Sequence, residues 1–367
     1  WPYLALLQST NAVTDDGTVA SGFSPRNIAN ALLQWEGAEQ FNPGIDFGFL
    51  NNRITGSLDY YKKTSDNLLL NQDVSYVTGF GVGIVNKGKV ENRGWELELR
   101  TKNITTENFS WTSTLIASTN TNELLDFGND NGNLGVDGFD RNTQWINLVG
   151  NPISSFYGYV VDKEISTQYW DTPYNRINGQ AEDIIVKDLN GDGLITDDDK
   201  TILGDPYPDI IWSFTNEFKS GNFDMSFMIQ GSQGGQIRNV GDQYFYHFSG
   251  ATINGGAEQL VADGIISDAS FLQAKIFTDD IVQNSGYFSL RNVNIGYSLP
   301  DDIASKLRMS SIRLYASGQN LLYITSDDYH GFNPEYIDSN NTPITYGSQR
   351  AGTPLFSTYS FGLNVKF

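Results

Sequence analysis

The residues from 358 onward alternate strictly between apolar and polar side chains. Tyr359, Phe361, Leu363, Val365 and Phe367 share one parity, and Ser360, Gly362, Asn364 and Lys366 the other. Only an extended strand puts such a set on one face. The same period recurs along the chain. Ile54, Gly56, Leu58 and Tyr60 alternate with Arg53, Thr55, Ser57 and Asp59, and Trp95, Leu97 and Leu99 with Glu96, Glu98 and Arg100. Trp212, Phe214 and Phe218 alternate with Ser213, Thr215, Glu217 and Lys219. Phe223, Met225, Phe227 and Ile229 alternate with Asp224, Ser226, Met228 and Gln230, and Ile312, Leu314 and Ala316 with Arg313, Tyr315 and Ser317. Segment 287–299 is less regular. Phe288 and Leu290 fall in one phase, Val293, Ile295, Tyr297 and Leu299 in the other.

These strands carry charges in mid-run, so one face must meet water or a polar lumen. A soluble sandwich also has a polar face, and alternation alone does not separate the two. Length helps: strands crossing a membrane at a tilt need about 9–11 residues, whereas globular strands average about 5–6. The runs here are of the longer kind. An apolar face that continues to a terminal aromatic at Phe367 suits a barrel strand closing a seam better than a terminus fraying into water. The 19 Tyr, 22 Phe and 37 Gly suit a barrel with aromatic girdles. No stretch approaches the roughly 20 apolar residues of a spanning helix.

Charge and residue types exclude several functions. With 23 basic and 43 acidic side chains the net charge is −20, which disfavours nucleic acid and a polybasic membrane-surface protein. There is no cysteine, so disulfides, thiolate metal sites and cysteine nucleophiles are out. The two histidines, His247 and His330, make a histidine triad or multi-histidine zinc site a poor fit. His247 sits in the aromatic run 244–248, which reads as packing or as a sugar-stacking surface; His330 has no visible partner. The many acids could supply a glycoside-hydrolysis pair, but nothing singles one out. No enzyme chemistry is expected.

Connections alternate in length. Asn51-Asn52, the segment 103–108, Ser220-Gly221-Asn222 and the stretch from Pro300 to Arg308 (a brief helical turn) are short. The others, 64–88, 121–153, 232–286 and 323–356, are long. Short turns on one side and long loops on the other are the layout of an outer-membrane barrel. If the short turns are periplasmic, strands at 45–50, 90–102, 210–219, 287–299 and 358–367 run downward. Those at 53–63, 109–120, 222–231 and 311–322 run upward. Phe156–Val161 and Asp183–Val186 are then either another wall pair or an extracellular hairpin. The count is about nine or eleven, odd where single-chain bacterial barrels are even. With the mid-pattern start at Trp1-Pro2-Tyr3, the expectation is an all-β transmembrane antiparallel barrel present only in part, its remainder lying N-terminal. Gly37-Ala38-Glu39 and 257–264 are read as short loop helices, and Gly79-Phe80-Gly81-Val82-Gly83 as a loop tip, since no helix follows it as a nucleotide fingerprint requires.

Within 182–209 lies an EF-hand-like run from Asp188 to Asp199. Asp188, Asn190, Asp192, Thr196 and Asp199 stand at positions 1, 3, 5, 9 and 12 of a twelve-residue calcium loop. Leu194 offers its carbonyl at position 7, and Gly193 stands at the sharp turn. Asp at position 12 reaches less far than Glu, and no long flanking helices are evident. Calcium is expected, in a structural role, pinning a loop outside the cell.

Several motifs together resemble the C-terminal part of SusC/RagA-type TonB-dependent transporters of Bacteroidetes. They are Gln40-Phe41-Asn42-Pro43-Gly44-Ile45-Asp46, Asn52-Arg53-Ile54-Thr55-Gly56, Glu91-Asn92-Arg93-Gly94-Trp95-Glu96, the run from Lys187 to Gly193 and Gly204-Asp205-Pro206-Tyr207-Pro208. Tyr287-Phe288-Ser289-Leu290-Arg291-Asn292-Val293, Gly318-Gln319-Asn320-Leu321 and Phe332-Asn333-Pro334-Glu335 continue the match, in order, across nearly the whole chain. The resemblance implies a plugged barrel of the 22-stranded class, outer-membrane localisation, a SusD-like lipoprotein lid and energy from the TonB complex through the absent N-terminal part. It also implies uptake of glycans or peptides, with no residue pointing to which. The rival reading is a secreted, calcium-stabilised all-β adhesin or carbohydrate-binding protein.

Overall fold

The computed structural model describes residues 4–128, 132–137, 143–166, 183–241, 260–338, 344–350 and 352–367. Nine strands make one antiparallel meander. They are β1 (Gly37–Phe41 and Gly44–Phe49, two pieces broken at Pro43), β2 (Ile54–Asp66), β3 (Lys89–Thr105), β4 (Phe109–Thr119) and β5 (Ile210–Ser220). Then come β6 (Phe223–Gln233), β7 (Tyr287–Ser298), β8 (Ser311–Thr325) and β9 (Thr358–Lys366). Each strand pairs with its neighbours in sequence. Both pieces of β1 pair with β2, and Thr121–Asp126 carries β4 onward along the upper end of β3. The eleven hydrogen-bonded pieces are therefore nine wall strands. Gly37–Phe41, expected as a helical turn, is strand because Lys62–Asp66 offers it a partner edge.

The register turns the sequence alternation into two continuous surfaces. One cross-strand row runs Ile45, Leu58, Leu97, Ala117, Trp212, Gly231, Phe288 and Ile324. The adjacent row on the opposite face runs Asp46, Ser57, Glu98, Ile116, Ser213, Gln230, Ser289 and Tyr323. The apolar face carries no charge until Lys62 and Arg93, which stand directly opposite each other one step above the Tyr60–Trp95 ring pair. There Lys62 and Arg93 both bind Glu91, at 2.8 and 3.0 Å. An apolar band ending in aromatics and then charges is a membrane boundary. On the polar face charges are matched across strands, Arg313 with Asp224 and Arg100 with Glu217.

Short connections lie at one end. Leu50, Asn51 and Asn52 all take left-handed conformations, which asparagine tolerates best among non-glycine residues. Gly221, at φ +55°, makes the β5–β6 turn, and the helix Asp301–Lys306 fills the β7–β8 connection. A further hairpin, Leu7–Val13 with Val19–Pro25, pairs only with itself. Its alternation is diluted by Ser, Thr and Asn, so the pattern does not announce it.

The long connections are not simple loops. They build a second layer that holds the buried core. Strands Gly132–Asp137, Thr143–Leu148, Ser155–Gly158 and Thr201–Gly204 form a four-stranded sheet, and Gln236–Asn239 joins Val282–Asn284 and Ser348–Gln349 in another. Strands Asp183–Ile185 and Leu272–Ala274 pair. Clusters around Ile185, Leu260 and Ile266, around Tyr159, Val186 and Ile195, and around Val240, Ile276 and Ile281 are fully enclosed. Arg238 locks the first two of these sheets together. Its guanidinium lies 5.0 and 5.4 Å from the Trp145 and Phe156 rings and donates to the carbonyls of Gln144 and Tyr157 at 2.8 and 3.1 Å. Phe156–Val161 and Asp183–Val186 pair through a single bridge, between Val161 and Val186, and pack together at Tyr159 and Val186. They belong to this layer and not to the wall.

Candidate functional site at the barrel mouth

The irregular phase of segment 287–299 has a structural cause. Against β6, Leu290 pairs with Ile229 and Asn292 with Met228, leaving Arg291 as an extra residue. Against β8, Leu290 pairs with Leu322 and Asn292 with Gln319, across from Asn320 at φ +52°. This bulge brings Phe288 and Leu290 onto the same face as Val293, Ile295 and Tyr297. Bulges re-aim side chains, and here Arg291 joins Tyr287 on the polar, inner face.

There Arg291 meets Glu335 from the connection above. Its Nη2 pairs with Glu335 Oε2. The Tyr287 hydroxyl donates to Glu335 Oε1 at 2.7 Å, and the Tyr323 hydroxyl donates to Oε2 at 3.2 Å. Gln230 Nε2 donates to the Tyr287 oxygen at 3.1 Å. The Tyr287 and Tyr323 rings stack at 5.1 Å and 15°, with the guanidinium 5.5 and 5.6 Å from their centroids. Three donors thus converge on one carboxylate.

Beside this cluster a cavity of about 480 Å³ opens between the inner wall and the upper layer. Its wall side is Ile211, Gln230, Ser232 and Tyr287; its roof is Pro206, Tyr207, Pro208, Pro334, Glu335, Ile337 and Tyr346. The volume is within the range of small-ligand pockets. Burial pushes the Tyr207 hydroxyl far above its ordinary range, keeping it neutral. The segment carrying Glu335 is fixed at Gln349, whose Nε2 donates to the carbonyls of Asn333 and Tyr336 at 2.7 and 3.0 Å.

The expected calcium loop lies in the same upper layer. Asp188 Oδ1 and Oδ2 accept from the N–H groups of Gly191 and Gly193 at 2.6 and 2.8 Å. Asp199 is fully buried and accepts from Leu189, Asn190 and Thr196 N–H at 2.9, 3.3 and 2.8 Å. Burial opposes its charge, but these donors and Asp188 outweigh it and hold the carboxyl below its ordinary range. Asp188 and Asp199, at positions 1 and 12, are thus side by side, while Asp192 bonds Leu194 N–H and Asn190. Among the described residues no group of three acidic or histidine side chains is gathered as metal ligands. His330 takes Gln283 as a partner: its backbone N–H donates to Gln283 Oε1 at 3.1 Å, and its ring Nδ1 lies 3.4 Å from Gln283 Nε2. His247 lies outside the described residues, as does part of the 257–264 segment, of which a helical turn to residue 262 is seen.

No protein-family model matches the chain. Among curated proteins it is 31% identical over 389 residues to TonB-dependent receptor P3 of Formosa agariphila, matching 100% of this chain and 38% of that protein. It is 29% identical over 355 residues to TonB-dependent receptor SusC of Bacteroides thetaiotaomicron, covering 92% of this chain and 32% of SusC. The chain belongs among the SusC/RagA-type TonB-dependent receptors. The solved RagAB peptide transporter superposes with a TM-score of 0.73 at 22% identity, over 100% of this chain and 38% of that one, which supports the barrel fold. The receptor segment therefore spans less than two fifths of the relatives it matches. Its nine strands are outer-membrane wall, and its upper layer is the mouth. An adhesin gives no account of the uncharged apolar belt. Sequence reasoning named no ligand-contacting residue; the one local signal for this site was the phase break that marks Arg291.

Proposed function

We propose that this segment forms wall and mouth of an outer-membrane TonB-dependent nutrient importer that takes up oligosaccharides or peptides with a SusD-like surface lipoprotein. The observation that carries the reading is the match of the whole chain to TonB-dependent receptors, over strands whose register builds a membrane belt. Ligand arrives at the upper layer, and energy for its passage comes from the TonB complex acting through the part of the receptor outside this chain. Deleting the receptor gene should abolish growth of its host on one glycan or peptide class and spare glucose. Unchanged growth on every class tried would sink the reading.

The run Asp188–Asp199 is further proposed to take calcium. What supports it is the ligand spacing together with the side-by-side placement of the Asp188 and Asp199 side chains, which a cation would bridge. Asp192 would have to leave Leu194 to complete the set. A chelator should speed proteolysis within 182–205 of the purified receptor, and added calcium should restore protection; equal cleavage with and without chelator counts against it.

A further inference from the structure

The donors around Glu335 exceed what a simple tie between loop and wall requires. A lone Arg–Glu pair would hold the strap. Here one carboxylate takes a guanidinium N–H and two phenolic hydroxyls, on side chains drawn from β7 and β8 and pre-stacked against each other. The arrangement is that of an anion site built before its occupant arrives: a planar guanidinium only 15% exposed and two hydroxyl donors, around a Glu335 that solvent and a ligand can reach. The strand spends a bulge to aim Arg291 there. Next to the occupant lies unfilled space of about 480 Å³, lined by Tyr287 and Glu335 themselves.

We propose that Arg291, Tyr287 and Tyr323 form a carboxylate-binding site, occupied in cis by Glu335, and that the carboxylate of an incoming ligand competes for it from the adjoining cavity. Displacing Glu335 removes the strap's tie to the wall and leaves it held at Gln349, so ligand capture and loosening of the strap are one event. The chemistry recognised is a carboxylate on an otherwise uncharged body, because the remaining cavity lining is Pro, Tyr, Ile, Gln and Ser. A uronic acid or a peptide C-terminus would both present it. The inference rests on the importer reading only for taking this face as the lumen. Its test is binding to purified receptor, which fails or succeeds independently of growth.

The full-length receptor in detergent is titrated calorimetrically with glucuronate and with N-acetylglycine, and with N-acetylglycinamide as the uncharged control. Tethered Glu335 taxes the affinity of any competitor, so Glu335→Ala should tighten binding of at least one acid by about tenfold. Glu335→Gln, which keeps the shape of the strap, should give part of that gain. Adding Arg291→Gln to Glu335→Ala should remove it. In the unmodified receptor the same acid should speed proteolysis of 326–338. Gain with glucuronate alone assigns an acidic sugar; gain with N-acetylglycine alone assigns a peptide terminus; gain with both assigns the carboxylate itself. A gain of affinity does not arise from misfolding. No gain with either acid, a gain that survives Arg291→Gln, or equal gain for the amide overturns the proposal.

Discussion

At the residue scale, Asp199 shows how one side chain organises a loop. Its carboxylate takes three backbone N–H groups that have no strand or helix partner, so it does for residues 189–196 what a ladder does elsewhere. Because its folded pKa lies below the ordinary 3.8, its stabilisation is fully present above that value and is lost as pH falls through the folded one. Amide protection at Leu189, Asn190 and Thr196, taken relative to the intrinsic exchange rate at each pH, should be high at pH 7 and fall below about pH 4, where carboxylates protonate. Asp199→Asn keeps the shape but turns an NH2 toward a donor. It should speed exchange at these amides by about tenfold or more at pH 7. Unaltered exchange in the variant would show that the loop is held by something else. The spacing of this loop was legible because its residues are neighbours in the chain. The Glu335 cluster was not, because its partners are 12, 44 and 48 residues away.

At the element scale, the bulge in β7 is the most informative feature. The phase change between Leu290 and Val293 was readable as an irregularity, but period counting assigns the two halves to opposite faces. The neighbouring strands decide otherwise, because both halves must meet the same apolar rows on β6 and β8. One extra residue against β6 lets both halves do so. Deleting Arg291 puts Phe288, Leu290, Val293, Ile295 and Tyr297 in one unbroken period, so all five keep the apolar face. Deleting Asn294 instead makes Val293 and Ile295 consecutive, so one of them must turn to the inner face. The Arg291 deletion should therefore keep the compact, heat-modifiable band of the folded receptor on unboiled gels, and the Asn294 deletion should lose much of it. The reverse result would refute this account of the bulge.

At the scale of the whole molecule, the two faces of the wall obey different rules. Phe214 stands in the middle of the apolar rows, opposite Leu115 and Ile229, while Thr215 beside it faces inward opposite Thr114 and Met228. An arginine facing lipid near the midplane costs about 2–4 kcal/mol. Phe214→Arg should therefore lower the stability of the receptor refolded into lipid by about that amount, with Thr215→Arg much milder. Equal losses at the two sites would mean that the assignment of faces is wrong. The stability of the upper layer should respond to neither substitution, since its core clusters are separate from the wall.

Period and loop length together determined the wall, because both follow from local rules. Side chains alternate along any strand, and a wall between lipid and lumen needs opposite chemistry on its two faces over about 9–11 residues. Nine strands and their alternating directions were readable on that basis, with a further pair at 156–161 and 183–186 left open. What tertiary structure alone decided is how the upper layer is assembled. Its strands are as short as two residues, too short for a period to show, and its core is assembled from segments of several connections. The hairpin alternative for 156–161 and 183–186, the packing of Arg238 between two rings and the convergence of Tyr287, Arg291, Tyr323 and Glu335 all depend on contacts between distant parts of the chain. A period describes what a residue does relative to its neighbours. A site at the mouth of a barrel is made by residues that become neighbours only when the meander and its loops have closed over one another.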